Sequence, residues 1–490
     1  MTTQRQAQHL FWRAGFGPRP QDPALKLAPR KLLRQLLHDS QAYEPLTSPA
    51  MQYHEEPVSM LPAASGDMAM NSATPKKGGL SAEQRKEQNR RIREAFYAMN
   101  TGWLERMATS PAQLREKLTF FWHGHFACRV RRPDLALQLH NTIRRLALGK
   151  FPDLLLAVAK EPAMLQFLNN QQNRKQRPNE NFAREVMELF TLGRGHYSEQ
   201  DVKEAARAFT GWGYDAQGRF QFRPRQHDDG PKTIFGQTGN FGGEDVLRLL
   251  TQRRETATFL VTKLYRFFVS EQPNPRHIQP LAEAFYQSGY DVQDLLERLF
   301  SAEWFYDAAH VGTRIKSPVE LLVGLRRQAG LAPADAQKLV FWQKALGQVL
   351  FQPPNVAGWP GGRSWIDSSS LLLRLQLPRV LLRQAEVNIT LKEDENDLVP
   401  QQPGTEQRLR SRRQEPNEPP AGPLGAVAGL VSGLPAAERL PRMTGFLLQV
   451  PLRPENQALL QQLVPAGASA EETVRRQLEA VLSLPEYQLM

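Results

Sequence analysis

One predicted helix gathers most of the side chains in this chain that suit acid/base or metal chemistry. Residues 177–193 read RPNENFAREVMELFTLG, and at about 100° per residue their polar side chains share one arc of the helix. The members of this polar arc are Glu180, Asn181, Arg184, Glu185 and Glu188. Carboxylates grouped in this way can bind a divalent metal ion or act as general acid and base. The alternative is a solvated helix face joined by Glu–Arg pairs, each contributing ~0.3 kcal/mol.

The polar arc is expected to face the protein interior or a cleft. Leu192 falls within the arc, and Phe182 and Phe190 occupy the opposite side of the helix. Because an unpaired buried carboxylate costs several kcal/mol, cations or a metal ion must then meet Glu185 and Glu188. The candidate partners are Arg184, His123, His125, Arg207, His227 and Lys232.

Two histidines in the segment LTFFWHGHFA are candidate metal ligands. His125 shares an apolar helix face with Phe121, so it must find a buried partner or lose its charge. His123 points to another side if the helix continues through Gly124, and both rings can converge on one ion if the helix ends there. The alternative for each is a hydrogen-bonded core or cap histidine. The predicted metal ligands are His123, His125, Glu185 and Glu188.

A second polar set occupies the tip of a predicted β-hairpin. The residues His227, Asp228 and Asp229 are followed closely by Lys232. A His–Asp pair beside a lysine is a compact acid/base or metal-ligand set, although turn tips favour Asp and Gly for backbone reasons alone. The prediction makes His227 and Asp228 catalytic residues and Lys232 a substrate contact.

Two further segments supply candidate substrate contacts. Lys316 directly precedes the sequence SPVE, which is typical of a capped helix start. This signature predicts the helix start whether or not the lysine has a role. The loop over 351–365 carries Trp359, whose aromatic face can stack on a sugar or a base. The alternative for this loop is a packed plug, because proline and glycine restrict its backbone and the indoles supply its core.

The periodicity of the chain predicts a mainly α-helical protein that positions these residues. We expect one large helical domain over 1–385 with one small β-hairpin near 219–236. A long surface loop or disordered insertion is expected at 45–80, where no period is sustained. A polar linker at 386–425 then leads to a helical C-terminal region at 426–490.

Composition favours a soluble protein with anionic partners. The net charge is +12, from 62 Lys and Arg against 50 Asp and Glu, although a basic soluble surface is the alternative. The single cysteine, Cys128, excludes an intrachain disulfide and a thiolate zinc cluster. The first residues, MTTQRQAQHLFWRAGFGP, contain no apolar run long enough for a signal-peptide core or a membrane span. The expected location is therefore the cytoplasm, or the periplasm if an export signal has been removed.

Several segments are distinctive when taken together and in order. They are HLFWRAGFGP (9–18), FWHGHFA (121–127), ALGKFPDLLLAVAKEPAMLQFLNN (147–170), PNENFAREVMELFTLGRGHYSEQDVKEAARAFTGW (178–212), FQFRPRQHDDGPKTIFG (220–236), IKSPVELLVGLRR (315–327), FQPPNVAGWPGG (351–362) and the C-terminal LSLPEYQLM. With them the chain resembles a large bacterial family known as domain of unknown function 1800. The resemblance implies a mainly helical protein, often encoded beside a secreted, sulfatase-like protein, but it implies no activity.

These observations predict a metal- or carboxylate-dependent, hydrolase-like enzyme acting on an anionic or carbohydrate-derived substrate. Its cofactor would be a divalent metal ion. Glu185 and Glu188 would be ligands or acid/base groups, and Arg184 would contact the anion. The alternative is a non-catalytic helical interaction protein that supports a sulfatase-like partner and uses its polar groups to stabilise its core.

Overall fold

A computed structural model describes five stretches of the chain, which are residues 2–47, 81–333, 335–383, 424–463 and 467–490. The predicted loop at 45–80 and the predicted linker at 386–425 lie almost wholly outside these stretches. Their boundaries therefore remain predictions.

Helices dominate the described residues, as the sequence predicts. The first group comprises α1 (Thr3–Ala14), α2 (Pro29–Asp39), α3 (Ala82–Thr109), α4 (Gln113–His125), α5 (Pro133–Leu146), α6 (Phe151–Ala159), α7 (Pro162–Phe167), α8 (Asn181–Glu185), a π-helix (Val186–Thr191) and α9 (Glu199–Ala208). The second comprises α10 (Gly243–Thr251), α11 (Arg254–Phe268), α12 (Pro275–Gln287), α13 (Val292–Ser301), α14 (Pro318–Ala329), α15 (Ala336–Ala345), α16 (Ser368–Arg383), α17 (Gly425–Val431), α18 (Ala436–Leu447), α19 (Pro454–Gln462) and α20 (Ala470–Leu482). The mainly α fold class is confirmed.

Four short strands form two antiparallel pairs between α9 and α10. β1 (Trp212–Tyr214) pairs with β2 (Phe220–Phe222), and β3 (Lys232–Ile234) pairs with β4 (Gln237–Gly239). The small β element is therefore present, but its pairing differs from the predicted hairpin across 219–236. The reason is turn chemistry, because Phe235 and Gly236 both have positive φ (51° and 75°) and close β3 onto β4 in a tight turn.

Helix α4 is the central element of the fold. Every residue in it except Gly124 is buried, so its charged side chains need partners inside the protein. Glu116 accepts a hydrogen bond from Arg144 Nη2 at 2.5 Å, and Lys117 Nζ donates to Glu320 Oε1 at 2.5 Å. These two buried ion pairs join α4 to α5 and to α14.

The C-terminal residues complete the same core. Side chains of α17, α18 and α20 belong to one apolar cluster with those of α1 and α4. After α20, Leu489 forms an isolated antiparallel bridge with Ile315, and Lys316 N donates to the Gln488 carbonyl at 2.8 Å. Tyr487 is fully buried. The first helix and the last described residues therefore pack together.

No helix in the described stretches is both long and apolar enough to cross a membrane.

Candidate functional site

The polar arc lies on a helix that changes type in its middle. After Glu185 the α8 turns give way to the π-helix, in which Leu192 N donates to the Met187 carbonyl at 2.8 Å. Wide turns of this kind occur frequently at functional sites. The regular spacing used to predict the arc therefore does not hold beyond Glu185.

The arc is half-buried at the protein surface rather than interior. Glu188 keeps 16% of its side chain exposed, whereas Arg184 keeps 32% and Glu180 keeps 38%. Leu192 is buried, as its position within the arc suggested. The expectation of an interior-facing arc is therefore met only in part, because Glu188 is paired with the exposed Arg194 and Glu180 with the half-buried Arg184 instead of with core cations.

Glu188 is held in its ionised form by two neighbours. Tyr197 Oη donates to its Oε2 at 2.7 Å, and Arg194 Nε donates to its Oε1 at 2.6 Å. The hydrogen bond from Tyr197, followed by that from Arg194, lowers the pKa of Glu188. Both donors favour the charged form of the carboxylate.

Glu185, one turn earlier, is in the opposite situation. It is half-buried and makes no hydrogen bond or ion pair with any residue that the structure describes. Burial, followed by the negative charge of Glu188, raises the pKa of Glu185. Two neighbouring carboxylates whose pKa values are pushed apart are typical of an acid/base pair.

Arg184 is already engaged by carboxylates of its own surroundings. Its Nη1 and Nη2 donate to the two oxygens of Glu199 at 2.8 and 2.7 Å, and Nη2 also reaches Glu180 Oε2 at 3.2 Å. The bidentate hydrogen bonds that Arg184 donates to Glu199 raise the pKa of Arg184. A substrate anion would have to displace Glu199 to use the predicted contact.

The two candidate histidines form hydrogen bonds with backbone groups in the core. His123 Nε2 accepts a hydrogen bond from Phe351 N at 3.1 Å, and His125 Nε2 lies 3.2 Å from the Phe190 carbonyl oxygen. Burial lowers the pKa of His123 to about 3 and that of His125 well below its usual value. Within the described stretches, no three His, Cys, Asp or Glu side chains converge so that they could hold a metal ion. The four predicted ligands are thus not brought together.

The turn that contains His227, Asp228 and Lys232 is joined by hydrogen bonds to α9 and to the residues that follow it. His227 Nδ1 lies 2.9 Å from the Thr210 carbonyl oxygen, and Arg207 Nε donates to Asp228 Oδ2 at 2.8 Å. Lys232 Nζ donates to the backbone carbonyl of Asp228 at 2.6 Å. The hydrogen bond from Arg207 lowers the pKa of Asp228. Among the described residues, no hydrogen bond or ion pair joins this set to the polar arc, and each of its three side chains has a partner within the protein.

Trp359 lies on a loop packed against the end of α4. Its ring centroid is 5.5 Å from that of His123, and the side chain is half-buried. Gly358 has φ +83°, and a Cβ there would lie 2.4 Å from the Gly124 carbonyl oxygen. Only glycine allows this approach. The loop therefore packs closely against α4 and leaves part of the Trp359 indole accessible.

Lys316, the remaining predicted contact, lies deep in the core. Its Nζ donates to the Tyr487 carbonyl at 2.5 Å and sits 4.0 Å from the Trp12 ring centroid and 3.6 Å from that of Tyr487. The sequence prediction missed the other buried charged residues of this region. Glu320, Arg374 and Lys117 act electrostatically on Lys316, and Arg13 and Arg314 act on Lys117. The available signal was a charged residue inside an aromatic-rich segment, as in HLFWRAGFGP and REKLTFFW.

The fold and the site define a mainly helical protein with an ionic core and a surface carboxylate pair at the start of a π-helix. Residues 9–489 match the family described as "Protein of unknown function (DUF1800)", and the chain belongs to that family. No curated protein and no solved structure matches it. The resemblance noted in the sequence is confirmed over nearly the whole chain.

Proposed function

We propose that this protein is a hydrolase-like enzyme that uses Glu185 and Glu188 as an acid/base pair on an anionic or carbohydrate-derived substrate. One observation carries the proposal. Glu185 is half-buried without a partner among the described residues, whereas Glu188, one turn away, has both oxygens engaged by donors.

The two carboxylates suit different steps of a hydrolysis. Glu185, whose pKa is raised, takes up a proton more readily than Glu188 and can give it to the leaving group. Glu188 stays ionised and can orient a water molecule and accept its proton, so the bond to the leaving group breaks as the bond to water forms. Proton transfer by positioned groups contributes roughly 10²- to 10⁴-fold to rate.

Arg194 is the better candidate for the substrate's negative group. Its side chain is 87% exposed, and among the described residues only its Nε is engaged, by Glu188. Arg184, in contrast, donates through both terminal nitrogens. The net charge of +12 also favours the approach of an anion.

Turnover assays test the proposal. Chromogenic sulfate, phosphate and carboxylate esters and glycosides would be screened, and Glu185→Gln is expected to lower kcat/KM by ~10²-fold or more. The control Glu283→Gln changes a 51% exposed carboxylate on α12, away from the pair, and should leave turnover nearly unchanged. Full turnover in Glu185→Gln, or none by the folded wild type, would contradict the proposal.

Metal analysis separates the metal-dependent form of this enzyme from the carboxylate-only form. Purified protein would be compared with the Glu185→Gln, Glu188→Gln double variant. A divalent metal that is lost in the folded double variant supports the metal-dependent form. Equal metal content in both proteins supports the carboxylate-only form.

A second candidate function is a non-catalytic interaction protein that supports a sulfatase-like partner. It is favoured by the turn at His227, Asp228 and Lys232, whose side chains all have hydrogen-bond partners within the protein and so stabilise the fold. Co-expression with a sulfatase-like protein encoded nearby tests this function. A stable complex that Glu185→Gln leaves intact would support it.

A further inference from the structure

A group of buried cations surrounds one carboxylate in the core of the protein. The carboxylate is Glu320, which is 1% exposed. The surrounding residues, which we call the cationic cluster, are Arg13, Lys117, Arg314, Lys316 and Arg374, each at most 8% exposed. Burial lowers the pKa of all five, and Glu320 acts on each in the opposite direction. Glu320 is therefore the electrostatic centre of the cluster.

Glu320 is the buried side-chain carboxylate that acts on all five cations among the described residues, and one such charge cannot balance them. Glu320 Oε1 accepts from Lys117 Nζ at 2.5 Å, and its Oε2 accepts from Ser317 N at 2.8 Å, so both oxygens are engaged. Glu271 also acts on Arg314 but is an exposed residue. Because a guanidinium stays protonated in proteins, the three arginines keep their charge. Burying such excess charge costs several kcal/mol unless an anion offsets it.

The arginines also hold donors that no described residue accepts. Arg374 Nη1 donates to the Lys316 carbonyl at 2.9 Å, which leaves Nε and Nη2 without a partner. These two nitrogens form one edge of the guanidinium and can bind two oxygens of one anion. Arg13 and Arg314 each keep Nε and Nη1 without a described partner. Buried donors of this kind are rare in native proteins and call for an explanation.

The other buried ion pair on α4, between Glu116 and Arg144, is an arrangement in which the buried charges balance. Glu116 accepts from Arg144 Nη2 at 2.5 Å and from Trp103 Nε1 at 3.0 Å. Arg144 Nη1 donates to the Glu44 carbonyl at 2.7 Å. Each of these groups thus has a partner within the protein, and a purely structural role suffices for them. The cationic cluster differs in both its charge and its unmatched donors.

We propose that the cationic cluster binds an oxyanion, which is a phosphate, sulfate or carboxylate group held by the Nε–Nη2 edge of Arg374 and attracted by the other cations of the cluster. Guanidinium groups match such anions in geometry and charge. The group can belong to a free ion or to a larger molecule. This site shares no residue with the Glu185–Glu188 pair, so each proposal can fail without the other.

Burial has a consequence for how the ion exchanges. Since every member of the cluster is at most 8% exposed, the ion can leave only when an enclosing segment moves. Exchange is therefore expected to be slow, and a bound ion should survive purification. Denaturation should then release it in a one-to-one ratio with the protein.

Two measurements on the full chain test the site. First, the protein is purified in chloride buffer and acid-denatured, and the released anions are identified by ion chromatography and mass spectrometry. Second, thermal unfolding is followed with phosphate, sulfate or acetate, each compared with chloride at equal ionic strength. The variants are Arg374→Gln and the charge-retaining Arg374→Lys, and the control is Arg298→Gln, at a 55% exposed arginine.

We expect about one oxyanion per chain, or a saturable stabilisation by one of the three anions. The anion identified in the first measurement distinguishes a free ion from a larger ligand. Arg374→Gln should weaken binding roughly 10- to 100-fold, because charged hydrogen bonds are lost, with a smaller loss in Arg374→Lys and none in Arg298→Gln. If no anion is released and none stabilises the wild type more than folded Arg374→Gln, the proposal is overturned.

Discussion

At the scale of single residues, Glu185 and Glu188 differ in partners rather than in chemistry. Tyr197 and Arg194 stabilise the charge of Glu188, while burial and the neighbouring Glu188 charge act against ionisation of Glu185. A carboxylate without a partner destabilises the folded state, which is a cost commonly found at catalytic sites. The thermal stability of variants at these two positions therefore tests the difference between the two carboxylates, even before a substrate is known.

Glu185→Gln is expected to stabilise the protein at neutral pH. The pKa of Glu185 is raised above its usual 4.5, so its stabilising contribution is present below pH 4.5 and is lost as pH rises through the folded-state pKa. Removing the charge at pH 7 should raise Tm by roughly 1–2 °C. Thermal unfolding at pH 7 and at pH 4 measures this, and the gain should vanish at pH 4.

Glu188→Gln is expected to change Tm in the direction opposite to Glu185→Gln. Its pKa is lowered below 4.5, so its contribution is present above that pH and is lost as pH falls through the folded-state pKa. The variant should therefore lower Tm at pH 7, and the difference should shrink in acid. If both variants shifted Tm in the same direction at pH 7, the two environments would not differ as described.

At the scale of elements, local signals were the most predictable. The capping boxes at Ser81–Gln84 and Ser317–Glu320 form as their sequences indicate, because they need only neighbouring residues. Strand pairing was less predictable. Asp229-Gly230 suggested the turn, but the turn over Phe235 and Gly236 closes a different pair.

The candidate site was only partly predictable for a physical reason. The polar arc was identified from side-chain types, but the change to a π-helix after Glu185 depends on packing that no local pattern encodes. The sequence predicts His123 and His125 as metal ligands, whereas the hydrogen-bond partners that the structure gives them are backbone groups of distant segments. Tertiary contacts that define such sites are not visible in helical periodicity.

Glu320→Gln tests the ion pair that joins α4 to α14. It should lower the free energy of unfolding by about 3 kcal/mol, because a buried cation loses its partner, while glutamine still allows the capping box. Urea unfolding measures the loss. Glu105→Gln, in the exposed pair between α3 and α14 with Arg326, is the control and should cost less than ~1 kcal/mol.

Equal losses in the two variants would show that burial adds nothing to the Lys117–Glu320 pair. The double variant Lys117→Met, Glu320→Leu gives a further check. Replacing both charges with apolar groups should recover part of the stability lost in Glu320→Gln.

At the scale of the whole molecule, the two ends of the described chain share one core. Lys316 lies between the rings of Trp12 and Tyr487, so α1 and the last residues both cover it. Neither end can move without exposing a buried charge. The C-terminal residues are therefore part of the core and not an accessory tail.

Deletion of residues 485–490 should destabilise the whole protein by at least ~3 kcal/mol, since Tyr487 leaves the core and Lys316 loses its acceptor. Urea unfolding and limited proteolysis of α1 measure the effect. Tyr487→Phe is the control, because it removes only the hydrogen bond to Gln328, and it should cost about 1 kcal/mol. Unchanged protection of α1 in the deletion variant would refute the shared core.

The contacts of Lys316 with Trp12 and Tyr487 also determine when, during synthesis, the core can form. During synthesis at roughly 5–20 residues per second, α1 leaves the ribosome tens of seconds before Tyr487 is made. Until then Lys316 lacks the Tyr487 carbonyl that accepts its hydrogen bond, and the nascent chain cannot complete its core. Closure of this core is thus a late event, because it waits until the segment that holds Tyr487 has been made.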